Sequence, residues 1–508
     1  MTTPASTPTV RVEVGAALVL SGSAPADALR AVDRALAIPN PEWSKRAASG
    51  RWLGTVEPEL RFARRLPTGD VEVPRGAFHL VRRVLAERGL ALDVVSRATF
   101  APPAGGAPWL PVDAPAGFAP RPYQLDAEER MLRGVQGYVV LPCGGGKTQV
   151  ASRALVRSGQ AGLVLCHTED LVDQWAAALW RASADPPRLV GGSFGADFRG
   201  ARPGRLVVAL VQTVATDLAR AAPLLRSVGA IVVDEAHRCP GRTYADVLHA
   251  CPARYRWGLT ATPDRPDGLG PLLDLYVGPP LYRRTARELA DDGWLVLPRV
   301  AFLRSGWSAG VTVRDRTGRL DWAKAVAALS DDPTRTTLIV DLAAAAVADG
   351  RQTLVLVHRK ANATRLAMLL RARGVQAEAV TGDVERRHRR RRVSGLRSGR
   401  VECLVATQLA DEGLDLPDLG CLVVAAPQKA EGRALQRLGR LTRPKGSSMI
   451  PVCFDLVDGG LEHQARARSA AYAREYAVAP EKADGVDGAR AVLRRLAAEA
   501  GTTASLVG

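Results

Sequence analysis

Between residues 137 and 425 short apolar runs alternate with stretches of helical periodicity, and this alternation restricts the fold more than any other feature. The runs are Gly137–Leu141, Gly162–Cys166, Leu206–Val211, Ala230–Val233 and Arg256–Leu259, then Thr353–Val357, Ala377–Val380, Val401–Ala406 and Cys421–Ala425. Each is four to six residues long and ends in polar or glycine-rich sequence. Continuous apolarity, as opposed to strict alternation, marks strands buried on both faces, and parallel strands joined by crossover helices are buried that way. The expected class is α/β, with two tandem units of similar size, each a parallel sheet flanked by helices.

A chain of 508 residues exceeds one ordinary core. The stretch from Ala101 to Pro120 is rich in Pro, Gly and Ala and reads as a linker. The expected division is residues 1–118 as a small α+β accessory domain, 119–297 and 298–458 as the two α/β lobes, and 459–508 as a helical basic tail. Its helices are expected over Gln464–Tyr476 and Gly488–Ala500, and the section around Pro298–Gly318 looks irregular. No apolar run approaches the roughly 20 residues that cross a bilayer, so no membrane partner is expected. The start, MTTPASTPTV, lacks a basic segment followed by an apolar one. The cytoplasm is the expected compartment, at the nucleoid in a bacterium. Seven dispersed cysteines without a C-x-x-C pair argue against a disulfide framework or a zinc ribbon. The net charge of +17 attracts polyanions, nucleic acid foremost.

The segment Leu141-Pro-Cys-Gly-Gly-Gly-Lys-Thr148 follows an apolar run and precedes a helical pattern. Gly144, Gly145 and Gly146 let the backbone curl so that its N–H groups point at phosphate oxygens, and the helix start adds partial positive charge. Lys147 would reach the β and γ phosphates of ATP, and the Thr148 hydroxyl would bind Mg²⁺. Leu141 stands where the G-x-x-x-x-G-K-[ST] consensus has its first glycine. A second acidic half belongs at the end of another buried strand, and Ala230-Ile-Val-Val-Asp-Glu-Ala-His237 supplies it. Asp234 would hold Mg²⁺ and Glu235 would polarise the attacking water.

With these two motifs in place the chain resembles a superfamily-2 helicase, and the resemblance runs from about Trp43 to Asp458. Arg121-Pro-Tyr-Gln124 resembles the adenine-reading segment, with Gln124 as reader. Leu163–Trp175 resembles motif Ia, Leu210-Val-Gln-Thr213 motif Ib and Leu259-Thr-Ala-Thr-Pro263 motif III. Leu354–Arg359 resembles motif IV, Leu404–Pro417 motif V and Gln436-Arg-Leu-Gly-Arg-Leu-Thr-Arg443 motif VI. Such a helicase has two RecA-like P-loop lobes with ATP in the cleft between them. The resemblance implies arginine fingers at Arg440 and Arg443, a γ-phosphate sensor at Gln436, and ATP contacts from Gly413 and Asp415. It implies nucleic-acid contacts from His167, Thr168, Gln212, Thr213, His358, Arg359 and Thr407, and coupling of the two sites through Thr260, Ala261 and Thr262.

The spellings Leu-Pro-Cys-Gly-x-Gly-Lys and Gln-Arg-Leu-Gly-Arg, with Thr55–Pro67 and Val71-Glu-Val-Pro-Arg-Gly76 ahead of the motor, resemble the XPB-like branch of DNA repair helicases and its bacterial and phage relatives. Two spellings depart from it: Arg265-Pro-Asp267 where XPB carries Arg-Glu-Asp, and Gln408 in motif V. The expected activity is that of a nucleic-acid-dependent ATPase, an ATP-dependent DNA helicase or translocase in DNA repair, recombination or related DNA processing; the alternatives are an RNA helicase, or a duplex-DNA translocase subunit of a defence or mobile-element system that does not separate strands. The dense run Arg386–Arg392 is either an exposed basic helix face or a phosphate-contacting patch. Arg61, Arg64, Arg65, Arg82, Arg83, Arg468, Arg474, Arg494 and Arg495 carry the same two readings. Core packing is expected for Trp43, Trp52 and Trp109.

Overall fold

The computed structural model describes residues 8–101, 119–183, 185–239, 241–265, 267–316, 318–407, 416, 418–426, 431–442 and 449–507. They divide into two compact units, residues 1–141 with 146–283, and residues 284–508 with 142–145. The linker expected over 101–120, Trp109, Gly413, Asp415 and Arg443 lie largely or wholly outside the described residues.

The first unit holds a seven-stranded sheet. In spatial order its strands are Arg188–Val190, Leu206–Leu210, Gly162–Cys166, Ala230–Val233, Tyr255–Thr260, Gln136–Val140 and Pro280–Arg283. Every neighbouring pair is parallel. The central runs GLVLC, LVVAL and AIVV are buried along their whole length, which is why they lack alternation: helices cover both faces of the sheet. Parallel pairing aligns the strand ends, so the loops after Val140, Val233 and Thr260 leave the same edge of three adjacent strands.

Residues 8–101 add a five-stranded sheet ordered Arg64–Arg65, Val71–Pro74, Ala17–Leu20, Thr9–Val14 and Ala91–Ser96. Its core includes Val12, Leu18, Leu20, Val32 and Leu85, and it also takes in Leu272 and Leu275 from the parallel-sheet part of the same unit. Gly76 allows this approach, because a β-carbon there would lie 2.5 Å from the Asp274 carbonyl oxygen and 2.6 Å from that of Leu275. Two buried guanidinium groups fasten the junction. Arg75 donates to the carbonyls of Gly15 (3.1 Å), Ala253 and Arg254 (2.5 Å) and to Gln136 Oε1 (3.0 Å). Arg256 donates to the carbonyls of Ala16, Leu248, Cys251 and Tyr276 at 2.9–3.1 Å. Burial with carbonyl partners in place of carboxylates pushes both pKa values down, to about 9 for Arg75 and about 10 for Arg256.

The second unit repeats the plan with strands Ala377–Val380, Cys403–Thr407, Thr353–Val357, Cys421–Val424, Val452–Gly459, Arg299–Ser308 and Glu481–Ala483, all parallel to their neighbours. Three sequence expectations need correction here. The section around Pro298–Gly318 is not irregular throughout, because it contains the ten-residue strand Arg299–Ser308. Residues 459–508 are not a helical appendage alone. Glu481–Ala483 pairs with Ala301–Leu303 at the sheet edge, and Ala489, Val492, Leu493 and Leu496 enter the lobe core. Arg468 is no surface cation either. It is buried on Asp455 through two bonds of 2.7 and 2.8 Å, with the Tyr472 hydroxyl donating to the same carboxylate.

Of the expected core tryptophans, Trp43 is half-buried, whereas Trp52 is 86% exposed; it follows the glycine turn at Gly50 and its ring lies beside Gly54, which has no side chain to cover it. Six cysteines are buried, Cys143 is half-buried, and all seven are free thiols. No helix among the described residues is long and apolar enough to cross a membrane.

Candidate functional site

The P-loop emerges from strand Gln136–Val140 and runs into helix Lys147–Arg157. Gly144 (φ 82°) and Gly146 (φ 80°) lie in the left-handed region, where a side chain is penalised. Gly146 meets a second restriction, since a β-carbon there would collide with Nε2 of Gln124. Gln124 itself is buried in helix Pro122–Gly134, with Oε1 accepting from the Arg121 N–H at 2.9 Å. The adenine-reading candidate thus lies directly against the phosphate loop. Leu141, at the consensus glycine position, is fully buried and donates its N–H to the Thr260 carbonyl at 3.2 Å. That position serves as one more rung of the sheet, which accounts for a leucine being accommodated. Lys147 Nζ donates to the Leu141 carbonyl at 3.0 Å, and Thr148 is half-buried one residue on.

Two strands away, Asp234 closes Ala230–Val233. Its Oδ2 accepts from Trp175 Nε1 at 2.8 Å and its Oδ1 from the Glu235 N–H at 3.0 Å. Burial, and next the neighbouring Glu235 charge, push its pKa up to about 6 against the opposing pull of Trp175 and Lys147. Glu235 is a non-glycine residue at φ 50°, ψ 52°, a conformation that costs of the order of 1–3 kcal/mol and clusters at functional sites. Its Oε2 lies 3.4 Å from His237 Nδ1. Burial holds the His237 pKa at about 4, with Arg238, Arg265 and Lys147 pushing the same way, so at neutral pH the imidazole is uncharged and that contact is not an ion pair.

The third neighbouring strand brings Thr260, Ala261 and Thr262. Thr260 Oγ1 lies 3.3 Å from His237 Nδ1 and accepts from the Thr262 N–H at 3.1 Å. Arg265 extends the set, donating to the His237 carbonyl at 2.6 Å while pairing with Asp267. The Arg-x-Asp spelling therefore retains an arginine on the acidic loop, and Asp267 takes its other face.

The nucleic-acid candidates of the first unit gather along the same strand ends. His167 follows strand Gly162–Cys166, and Gln212 Nε2 donates to its carbonyl at 3.2 Å. Burial, with Arg238 and His237 close by, holds the His167 pKa at about 4. Thr168 Oγ1 caps the following helix by accepting from the Leu171 N–H at 3.3 Å. Thr213 sits in the short helix Val211–Thr216, packed on Gly191.

In the second unit Thr407 ends strand Cys403–Thr407, and His358 and Arg359 follow the adjacent strand Thr353–Val357. Arg359 Nη1 is 3.7 Å from Asp331. Gln436 lies half-buried on helix Glu431–Leu438, and Arg440 follows its end, its N–H donating to the Arg437 carbonyl at 3.1 Å.

Two residues escaped the sequence reading. Trp175 closes the motif Ia segment, where an aromatic at helical spacing reads as core; its indole N–H on Asp234 is visible only in three dimensions. Trp322 lies edge-on to His358, with ring centroids 5.7 Å apart and planes at 88°, and the irregular region before it gave no signal.

Comparison with known proteins fits this geometry. Residues 117–265 match the family model described as "Type III restriction enzyme, res subunit", and residues 335–445 match "Helicase conserved C-terminal domain". The chain is 31% identical over 355 residues to the Rad25 protein of Halobacterium salinarum, covering 69% of this chain and 56% of that protein. It is 28% identical over 366 residues to the DNA 3'-5' translocase XPB2 of Sulfurisphaera tokodaii, covering 65% and 80%. Against the DNA 3'-5' helicase XPB of Kineococcus radiotolerans it is 30% identical over 346 residues, covering 65% and 58%. The match thus spans little more than half the length of two of these three relatives. Among solved structures, S. cerevisiae Dbp5 bound to RNA and ADP BeF3 superposes with a TM-score of 0.54 at 15% identity, over 75% of this chain and 98% of that one, which is a likeness of fold. With one family model on each parallel-sheet unit and XPB and Rad25 proteins recurring among its relatives, the chain belongs to the superfamily-2 DEAD/DEAH-type helicases, on their XPB-like side.

Proposed function

We propose that this chain hydrolyses ATP to drive itself along DNA, in repair, recombination or related DNA processing. The observation that carries the reading is the convergence of the P-loop, Asp234–His237 and Thr260–Thr262 on one edge of three adjacent parallel strands. That edge joins a phosphate cradle, a carboxylate pair and a link toward the strand-binding motifs.

Lys147 exchanges the Leu141 carbonyl for the β and γ phosphates, and the N–H groups of residues 144–147 receive phosphate oxygens. The donor set fits a hydrated Mg²⁺ ion. Asp234 offers a carboxylate that uses two of its roughly four acceptor sites on Trp175 and Glu235, and Thr148 offers a hydroxyl. When bound, Mg²⁺ neutralises charge on the phosphates. Glu235 orients the attacking water and takes its proton. His237 and Thr260 report the state of Glu235 to the segment that follows strand Tyr255–Thr260. In the second lobe Gln436, Arg440 and Arg443 act on the transferred phosphoryl group, and Gly413 and Asp415 complete the contacts to ATP.

Support for DNA over RNA comes from the relatives, whose names specify DNA translocase or helicase activity, and from the net charge of +17. The test is ATPase stimulation compared across single-stranded, duplex and forked DNA and across RNA. Stimulation by DNA is expected, abolished in Lys147→Ala, while Glu235→Gln retains ATP and DNA binding without turnover. Stimulation by RNA alone would overturn the DNA assignment, and normal turnover in Glu235→Gln would remove Glu235 as the base.

A further inference from the structure

We propose that Trp322 stacks on an unpaired base of the nucleic-acid strand whose phosphates His358 and Arg359 engage; this deepens the motor reading above and rests on it. The indole is held out by a small substructure. Residues Trp307, Val313, Ala325, Leu329 and Leu461 form a hydrophobic cluster separate from the lobe core. Helix Trp322–Asp331 is anchored there, its start capped by Asp321 Oδ1 accepting from the Lys324 N–H at 3.2 Å. Trp322, Ala325 and Leu329 share one helical stripe by their spacing. Ala325 and Leu329 are buried at 0% and 2% exposure, whereas Trp322 is 40% exposed. The stripe therefore runs past its own core and ends on an open indole.

The elements around the ring carry both polar and charged groups. One side is steadied edge-on by His358, at the carboxyl end of strand Thr353–Val357. Arg359 and Lys360 follow in sequence; both are exposed, at 3.7 Å from Asp331 and 3.5 Å from Asp383. Arg314, Arg316, Arg319 and Lys324 are exposed on the substructure itself, against the acidic Asp315 and Asp321. A large exposed aromatic on a substructure that also carries exposed cations suits a polyanion with aromatic faces. A purely apolar protein partner would desolvate those cations together with the carboxylates that pair with Lys324, Arg359 and Lys360. Base faces in an intact duplex are covered by stacking, so the indole selects single-stranded or unpaired nucleotides and tolerates any base.

The test uses the full chain and fluorescence anisotropy with a labelled single-stranded DNA and a blunt duplex of the same sequence. W322A is expected to weaken single-strand binding by roughly five- to 150-fold, the range of one lost aromatic–base stack. W322F should stay within about threefold of wild type, since phenyl rings also stack. Duplex affinity and the salt dependence of binding should be unchanged in both, because no phosphate contact is removed. The proposal falls if W322A binds the single strand like wild type, if it loses both probes equally, or if W322F is as weak as W322A. Failure of the motor reading looks different: the wild-type chain would then show no ATPase stimulated by nucleic acid, whatever its binding to the two probes.

Discussion

Asp234 shows how much one side chain depends on its surroundings. Buried at a strand end beside Glu235 it resists ionisation, and the Trp175 indole N–H and the Glu235 backbone N–H stabilise the charged form that a metal requires. Trp175, on the helix that follows His167 and Thr168, is therefore expected to act as a positioning residue. Replacement by Phe keeps the ring and deletes the donor. Trp175→Phe is expected to raise the Mg²⁺ concentration for half-maximal ATPase about tenfold or more, as loss of an outer-shell partner does, with the thermal midpoint nearly unchanged. Titrating Mg²⁺ at saturating ATP checks it, and an unshifted half-maximal Mg²⁺ concentration would reduce Trp175 to packing.

At the scale of elements, helix Arg386–Arg397 resolves part of an ambiguity that the sequence leaves open. Its half-buried Arg392 turns inward, donating to the Ala379 carbonyl and lying 3.5 Å from Glu378. Arg387, Arg390, Arg391 and Arg397 are exposed at positions that share one face. Arg387 and Arg391 have no ion pair among the described residues. If both reach phosphates, the double variant Arg387→Ser/Arg391→Ser should reduce the slope of log K against log salt by about 1.8, or 0.9 per contact. An unaltered slope would identify a solvated face. Arg61 and Arg64 answer differently, for each already meets a carboxylate, Asp33 and Glu59 for Arg61 and Glu72 for Arg64.

For the molecule as a whole, residues 8–101 are fastened to the first parallel sheet by a shared core and by Arg75 and Arg256. Arg75→Ala would strand several buried carbonyls, each costing about 1–3 kcal/mol when unsatisfied. The expected result is faster hydrogen exchange over Val71–Pro74 and Tyr255–Thr260 and a lower thermal midpoint. Unchanged exchange there would show that the hydrophobic contacts alone fasten the module. The second unit is tested through turnover: Arg440→Ala should keep near-normal ATP affinity and lose on the order of a thousandfold in kcat, as removal of an arginine finger does. An unaltered kcat would take Arg440 out of that role.

The two α/β units, and the placing of the glycine loop before Lys147 and of Asp234 and Glu235 at the end of a buried strand, were legible in the chain alone, because they depend on local spacing: a buried run, a glycine turn, a helix start. Contacts between residues far apart in sequence were not. Short edge strands such as Glu481–Ala483 carry almost no periodic signal, and only pairing with Ala301–Leu303 makes them part of a sheet. The indole of Trp175 on Asp234, the burial of Arg468 on Asp455 and the exposure of Trp52 and Trp322 were likewise decided by tertiary structure. A tryptophan or arginine has the same spelling in a core, on a surface or beside a carboxylate, and only the neighbours that folding brings to it determine whether it packs, pairs or remains open to a ligand.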